Sequence, residues 1–114
     1  MKNAVVANPD GRVVEVIELE LNPQRREDFC AVLSHALEAV QRAPGYLGHT
    51  FGPWADEDDK FFLLIRWTSL GAHVRDFRSS AAFGIWRSRL AGHHQGSPTV
   101  RHFHLTQDIR DRPK

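Results

Sequence analysis

A four-stranded antiparallel sheet with two helices on one face, an α+β sandwich, is what this sequence predicts, and three observations carry the prediction. Residues 12–21 and 99–105 alternate apolar and polar side chains as strands do, and 46–54 and 61–67 read as a hairpin. Two stretches, 29–40 and 70–90, place their apolar residues at helical spacing. The whole is 114 residues, 41% hydrophobic and 25% charged, which suits one globular domain over 1–114 with a core from about 12 to 107.

The first strand follows a turn at Asn8, Pro9, Asp10 and Gly11. It sets Val13, Ile17, Leu19 and Leu21 on one face and Arg12, Glu18 and Glu20 on the other. Glu15 interrupts the apolar face, while Val14 and Val16 interrupt the polar one, so part of this strand is expected to be covered on both sides. Asn22 and Pro23 then read as an N-cap and first helical residue, with Glu27 and Asp28 in the early turns where the helix dipole favours acids. Phe29, Val32, Leu33, Ala36, Leu37 and Val40 form one apolar stripe, which Pro44 and Gly45 end. Cys30, beside Phe29, is expected to be a small buried hydrophobe, since one thiol cannot form an internal disulfide.

The hairpin has an aromatic and glycine-rich first arm (YLGHTFGPW), a solvated acidic turn at 56–59, and a second arm (FFLLIRW) apolar on both faces until Arg66. That second arm reads as a central strand. Ser69 caps a helical region to about Phe77. A kink at 78–80 separates it from a second stretch in which Phe83, Trp86 and Leu90 share a face. A loop is expected over 92–97, and Pro98 opens the last strand, with Val100, His102 and His104 on one side and Arg101, Phe103 and Leu105 on the other. The tail from 109 to 114 is expected to fray.

The order β-α-β-β-α-β makes this the ferredoxin-like, or split βαβ, sandwich. Its second sheet face would carry Val14, Val16, Phe62 and Leu64 bare, and a face-to-face homodimer would bury that patch on both subunits at once.

Charge and hydropathy exclude several classes of function. A net charge of +1, from 15 Lys and Arg against 14 Asp and Glu, argues against a nucleic-acid binder. No window reaches the roughly 18 apolar residues of a membrane span, and the early apolar run is shorter than a signal peptide requires, so the cytoplasm is the expected location. The charge is uneven: five basic against nine acidic residues lie up to Glu57, and ten against five from Asp58 onward. An anionic ligand should therefore prefer the second half.

At Arg66-Trp67, at 69–83 (SLGAHVRDFRSSAAF), at Trp86-Arg87 and at the final strand through Pro98, Val100, His102 and Phe103, the sequence resembles the antibiotic biosynthesis monooxygenase family of the dimeric α+β barrel superfamily. The resemblance implies a homodimer, with a pocket between each subunit's helices and sheet. It also implies an oxidoreductase without a cofactor, acting on anthrones or quinols of the polyketide type. Position by position, the family's tryptophan at the end of the third strand falls on Trp67, its polar or aromatic helix residue on His73, and its second-helix arginine on Arg87. The asparagine of the anthrone-oxidising members is replaced here by Leu63. Haem-degrading members use an axial histidine in the region of His73 together with an asparagine, and none follows Asn22 in this chain.

In that setting His73 is the candidate base and Arg87 the residue that steadies the resulting anion. Trp54, Trp67, Phe77, Phe83 and Trp86 are candidate walls for a planar aromatic substrate, with His49 and His102 as further pocket residues. His102, His104 and His49 would make a three-imidazole metal site only if the second and last strands came close, and no metal is expected. Two other functions fit the same pocket. One is a polyketide cyclase or isomerase, with His49 or His102 shuttling protons for His73. The other is a noncatalytic stress-response protein that binds a small molecule.

Overall fold

The computed structural model describes residues 11–57 and 59–107, so the turn at 8–10, the early apolar run, Asp58 and the tail from 109 lie outside the described residues. The strands are β1 (Val13–Leu21), β2 (Tyr46–Pro53), β3 (Lys60–Trp67) and β4 (His94–His104), and the α-helices are α1 (Phe29–Gln41) and α2 (Ala81–Leu90). They form one antiparallel sheet in the order β2-β3-β1-β4 with both helices on one face, the ferredoxin-like arrangement.

Register fixes which side chains meet. Val13 lies opposite Trp67 and His104, Glu15 opposite Ile65 and His102, and Ile17 opposite Leu63 and Val100. All of these face the helices because strand residues alternate. The core is this face of β1 and β3 closed by the α1 stripe of Phe29, Leu33, Ala36, Leu37 and Val40, and by Phe77, Trp86 and Leu90. Phe29 meets Phe61 edge to face, with ring centroids 4.9 Å apart.

Four local expectations are corrected. Asn22 does cap, its side chain accepting from Gln24 N–H at 3.1 Å, but the segment it caps is a single 3₁₀ turn, Pro23–Arg25. Helix α1 starts only at Phe29, so Glu27 and Asp28 precede its first turn. Burial of Phe29 under Phe61 sets that start more firmly than the capping residue does. Cys30 is exposed, because one residue along a helix is a rotation of about 100°, off the apolar stripe. The expected loop at 92–97 is largely strand: β4 begins at His94, paired with Leu21. It carries a register shift opposite Glu18–Glu20, and Gly96 has a φ of +64°, which a side chain would strain.

The kinked second helical region is as expected. A π-helical segment, Ala72–Phe77, ends where Arg78 N–H donates to the His73 carbonyl, and Ser80 is extended before α2 begins. Such segments widen a helix locally and recur at functional sites. On the other sheet face Trp54 lies over Phe62 at 4.5 Å, Val16, Phe62 and Leu64 are half-buried, and Phe103 is exposed. Among the described residues no helix is long and apolar enough to cross a membrane.

Candidate active site

A cavity of about 380 Å³ lies between the β1–β4 side of the sheet and the second helical region. Ile17 and Leu19 form its floor, Val100 and Pro98 come from β4, and Phe83, Trp86 and Leu90 form the α2 wall. The volume falls in the range of small-molecule sites. Its charged and titratable lining is Glu15, His73, Arg78 and Arg87.

Among the described residues Glu15 and His73 are the two buried polar ones facing this space, 4% and 2% exposed. Both are held by neighbours. The Trp67 indole N–H donates to Glu15 Oε1 at 2.9 Å, and His73 Nε2 lies 3.3 Å from Glu15 Oε2. The other ring nitrogen of His73, Nδ1, is 2.7 Å from His102 Nε2. Trp67 stacks on the His73 ring at 5.1 Å, and Phe77 backs it at 6.1 Å. The result is a continuous chain from Trp67 through Glu15 and His73 to His102.

Burial sets the protonation of this chain. It pushes the Glu15 carboxyl up to about 7, against the lowering effects of the Trp67 hydrogen bond and of the Arg78 guanidinium. It also pushes His73 down to about 3, helped by the positive field of Arg78 and by His102. His102 is lowered for the same reasons, burial first and Arg78 second. At neutral pH the Glu15–His73 contact is therefore a hydrogen bond between a half-titrated carboxyl and a neutral imidazole. With Glu15 ionised, His73 Nε2–H donates to it and Nδ1 accepts from His102. With Glu15 protonated, the Glu15–His73 and His73–His102 links reverse while the Trp67 indole N–H goes on donating to Glu15, and the proton gained at Glu15 is matched by a shift of tautomer at both rings.

The structure brings together His73, Arg87, Phe83 and Trp86 at the cavity wall, with Trp67, Phe77 and His102 directly behind His73. Trp67, 0% exposed, holds Glu15 and does not wall the cavity. Two further expectations are corrected. Trp54 lies on the opposite sheet face, where its indole N–H donates to Glu18 at 3.0 Å. His49 lies on β2, with β3 and β1 between it and β4, and its Nδ1 pairs with the Tyr46 hydroxyl at 2.7 Å. That strand order also separates it from His102 and His104. Burial, and then the Arg66 charge, lower its proton affinity.

Glu15 and Arg78 are site residues that the sequence reading did not single out. The signal for Glu15 was present, as the one charge on the apolar face of β1. Arg78 gave none, since only the π segment turns it toward the cavity. Leu63 is fully buried in the core, so Glu15 supplies the polar group on the sheet side of the cavity.

The sequence profile of the antibiotic biosynthesis monooxygenase family matches residues 12–89. The Bacillus subtilis protein YczJ, itself uncharacterized, is 28% identical over 97 residues, 85% of this chain and 99% of that one. A proposed antibiotic biosynthesis monooxygenase from Bordetella bronchiseptica superimposes with a TM-score of 0.77 at 27% identity, covering 88% of this chain and 99% of the other. SnoaB, a cofactor-independent oxygenase from Streptomyces nogalater, shares the fold with a TM-score of 0.73 at 19% identity, covering 89% and 99%.

Proposed function

This chain belongs to the antibiotic biosynthesis monooxygenase family, and on that premise we propose that it is a cofactor-independent monooxygenase acting on a planar anthrone- or quinol-type compound. The observation that carries the reading is the buried Glu15–His73–His102 chain ending in a largely apolar cavity. Both ring nitrogens of His73 are engaged, so Glu15 is the group that receives the substrate proton and His73 the group that passes charge along the chain.

For an anthrone the steps balance as follows. Glu15 takes a proton from the ring CH₂, leaving a carbanion whose charge spreads to the ring oxygen, where Arg87 steadies it. The carbanion reduces dioxygen, a C–O bond forms, and Glu15 returns the proton to give a hydroperoxide. Loss of the second C–H proton breaks the O–O bond, leaving a carbonyl and one water. Phe83 and Trp86 stack on the ring, and the apolar floor keeps water from the carbanion.

The test is oxygen uptake by metal-stripped protein supplied with an anthrone or a hydroquinone, run beside Glu15→Gln, His73→Ala and Arg87→Ala. Uptake above background that is lost in Glu15→Gln supports the reading; no uptake with any of these substrates overturns it. The same proton chain needs no oxygen to work, which favours a polyketide cyclase or isomerase as the second reading. Product formed under nitrogen would single that out. We extend the proposal to a homodimer that covers Val16, Phe62, Leu64 and Phe103 on the open sheet face. Sedimentation at the monomer mass would remove that part.

A further inference from the structure

A second cavity, of about 340 Å³, adjoins the first and shares with it the wall made by Trp86, Arg87, Leu90 and Pro98. Its character differs. Beyond that wall it is lined by α2's end and the start of β4, where Gly92, His94, Gly96 and Ser97 offer backbone and polar side-chain groups in place of aromatic surface. Among the described residues no Asp or Glu lines it.

Two cations flank it. Arg87 stands in the shared wall with its guanidinium 5.7 Å from the Phe83 ring, and Arg25 reaches from the 3₁₀ turn to within 3.0 Å of where a side chain at Gly92 would begin. Among the described residues neither guanidinium meets a carboxylate, whereas Arg26 next door is paired with Asp59 at 2.8 Å. Arginines with no carboxylate partner among the described residues, beside a roomy cavity, suit an anionic group. The first cavity would receive such a group less well, because the Glu15 carboxyl already occupies its sheet side.

We propose that the second cavity seats a carboxylate-bearing arm of the substrate, so that the chain takes an elongated aromatic acid whose ring lies over Glu15 and whose arm passes Arg87 toward Arg25 and Ser97. The proposal rests on the reading above only in taking the first cavity as the place of the ring. Arg87 thus serves both ends, facing the ring oxygen on one side and the arm on the other. His94 donates its Nδ1–H to the Gly96 carbonyl at 2.9 Å, which holds the cavity rim in shape.

The test is binding without oxygen, so its result is independent of whether the protein oxidises anything. A hydroquinone carrying a butanoate arm, its methyl ester and the bare hydroquinone are titrated anaerobically, following tryptophan fluorescence. The acid should bind at least about tenfold tighter than the ester, as an arginine–carboxylate pair predicts, and the preference should shrink at high salt. Arg87→Gln should bring acid and ester together, and Arg25→Gln should narrow the gap. Ser97→Trp, which fills the second cavity, should weaken the acid to the level of the bare hydroquinone. Equal binding of acid and ester by the unaltered protein overturns the proposal, and so does a preference that survives Arg87→Gln or an unchanged affinity for the acid in Ser97→Trp. If the acid preference is present but no oxygen is consumed, the oxygenase reading fails and the arm site stands. Uptake of oxygen without acid preference has the opposite meaning.

Discussion

Two tryptophans each donate an indole N–H to a glutamate of β1, and they differ in which side of the sheet they occupy. Trp67 reaches Glu15 at 2.9 Å beneath the helices, and Trp54 reaches Glu18 at 3.0 Å on the open face. The bond is the same and the surroundings are not. Trp67 and Glu15 are buried, while Trp54 and Glu18 are half-exposed. Out of water the carboxylate loses the solvation that keeps it ionised, and only the inner pair is continued by imidazoles. One indole–carboxylate pair has thereby become part of a proton chain, and the other is a clasp between strands.

The largest expected effect separates the two glutamates by activity. Glu15→Gln should lower turnover by about 10²- to 10⁴-fold, the usual worth of a positioned base, whereas Glu18→Gln should leave it near the unaltered level. Steady-state rates on whichever substrate shows uptake will decide this, and equal losses would erase the distinction between the faces. In the unaltered protein the rate should rise with pH through about 7, where Glu15 ionises.

Stability against pH is the next test. Glu15 has a folded value of about 7, above its ordinary 4.5, so its contribution is fully present below about pH 4.5 and is lost as pH rises through about 7. The size is roughly 3 kcal/mol, from the free-energy equivalent of a pKa change. His73 runs the other way: lowered from 6.5 to about 3, it contributes above pH 6.5 and loses that contribution as pH falls. The two slopes oppose each other in the mildly acidic range where both apply. Glu15→Gln removes only the first, so the variant should gain roughly 3 kcal/mol relative to the unaltered protein between about pH 4 and about pH 8. Urea denaturation at several pH values measures the swing.

Smaller again is the cost of removing each indole. Trp67→Phe should destabilise by about 2–3 kcal/mol, from lost volume in a close-packed site and a donor taken from a buried carboxyl, and Trp54→Phe by less than about 1 kcal/mol. Comparable denaturation midpoints for the two would contradict the burial argument. The smallest effect concerns Arg78, whose charge lowers Glu15. Arg78→Gln should move the midpoint of the pH–rate profile upward without changing the limiting rate much, and a downward move would remove Arg78 from the site's electrostatics.

Much of the fold was legible because its signals are local. Alternation at 12–21 and the stripe from Phe29 to Val40 each require only neighbours in sequence, and the ends of β1 and β3 and the last turn of α1 fall within a few residues of the pattern. Where tertiary contact sets a boundary, the reading slipped. The true start of α1 depends on Phe61, and the early start of β4 depends on pairing with Leu21. The site was half legible. His73 and Arg87 stand on a helix pattern, but His102 joins His73 only through the sheet register that places it opposite Glu15. Trp54 and His49 looked like pocket residues because the segment they share is aromatic, but Trp54 follows the end of β2 and packs on Phe62 of the open face, and strand order takes His49 away from β4.

The sequence by itself determined the order of elements and the odd position of a glutamate on the inner face of β1, since both follow from side-chain periodicity along one chain. Tertiary structure alone decided what that glutamate is. Closing the helices over β1 removed it from water, the register brought His102 to within hydrogen-bond reach of His73, and the π segment turned Arg78 toward both. Burial and distance between residues far apart in the chain set a proton affinity, and neither is a property of any short stretch of sequence.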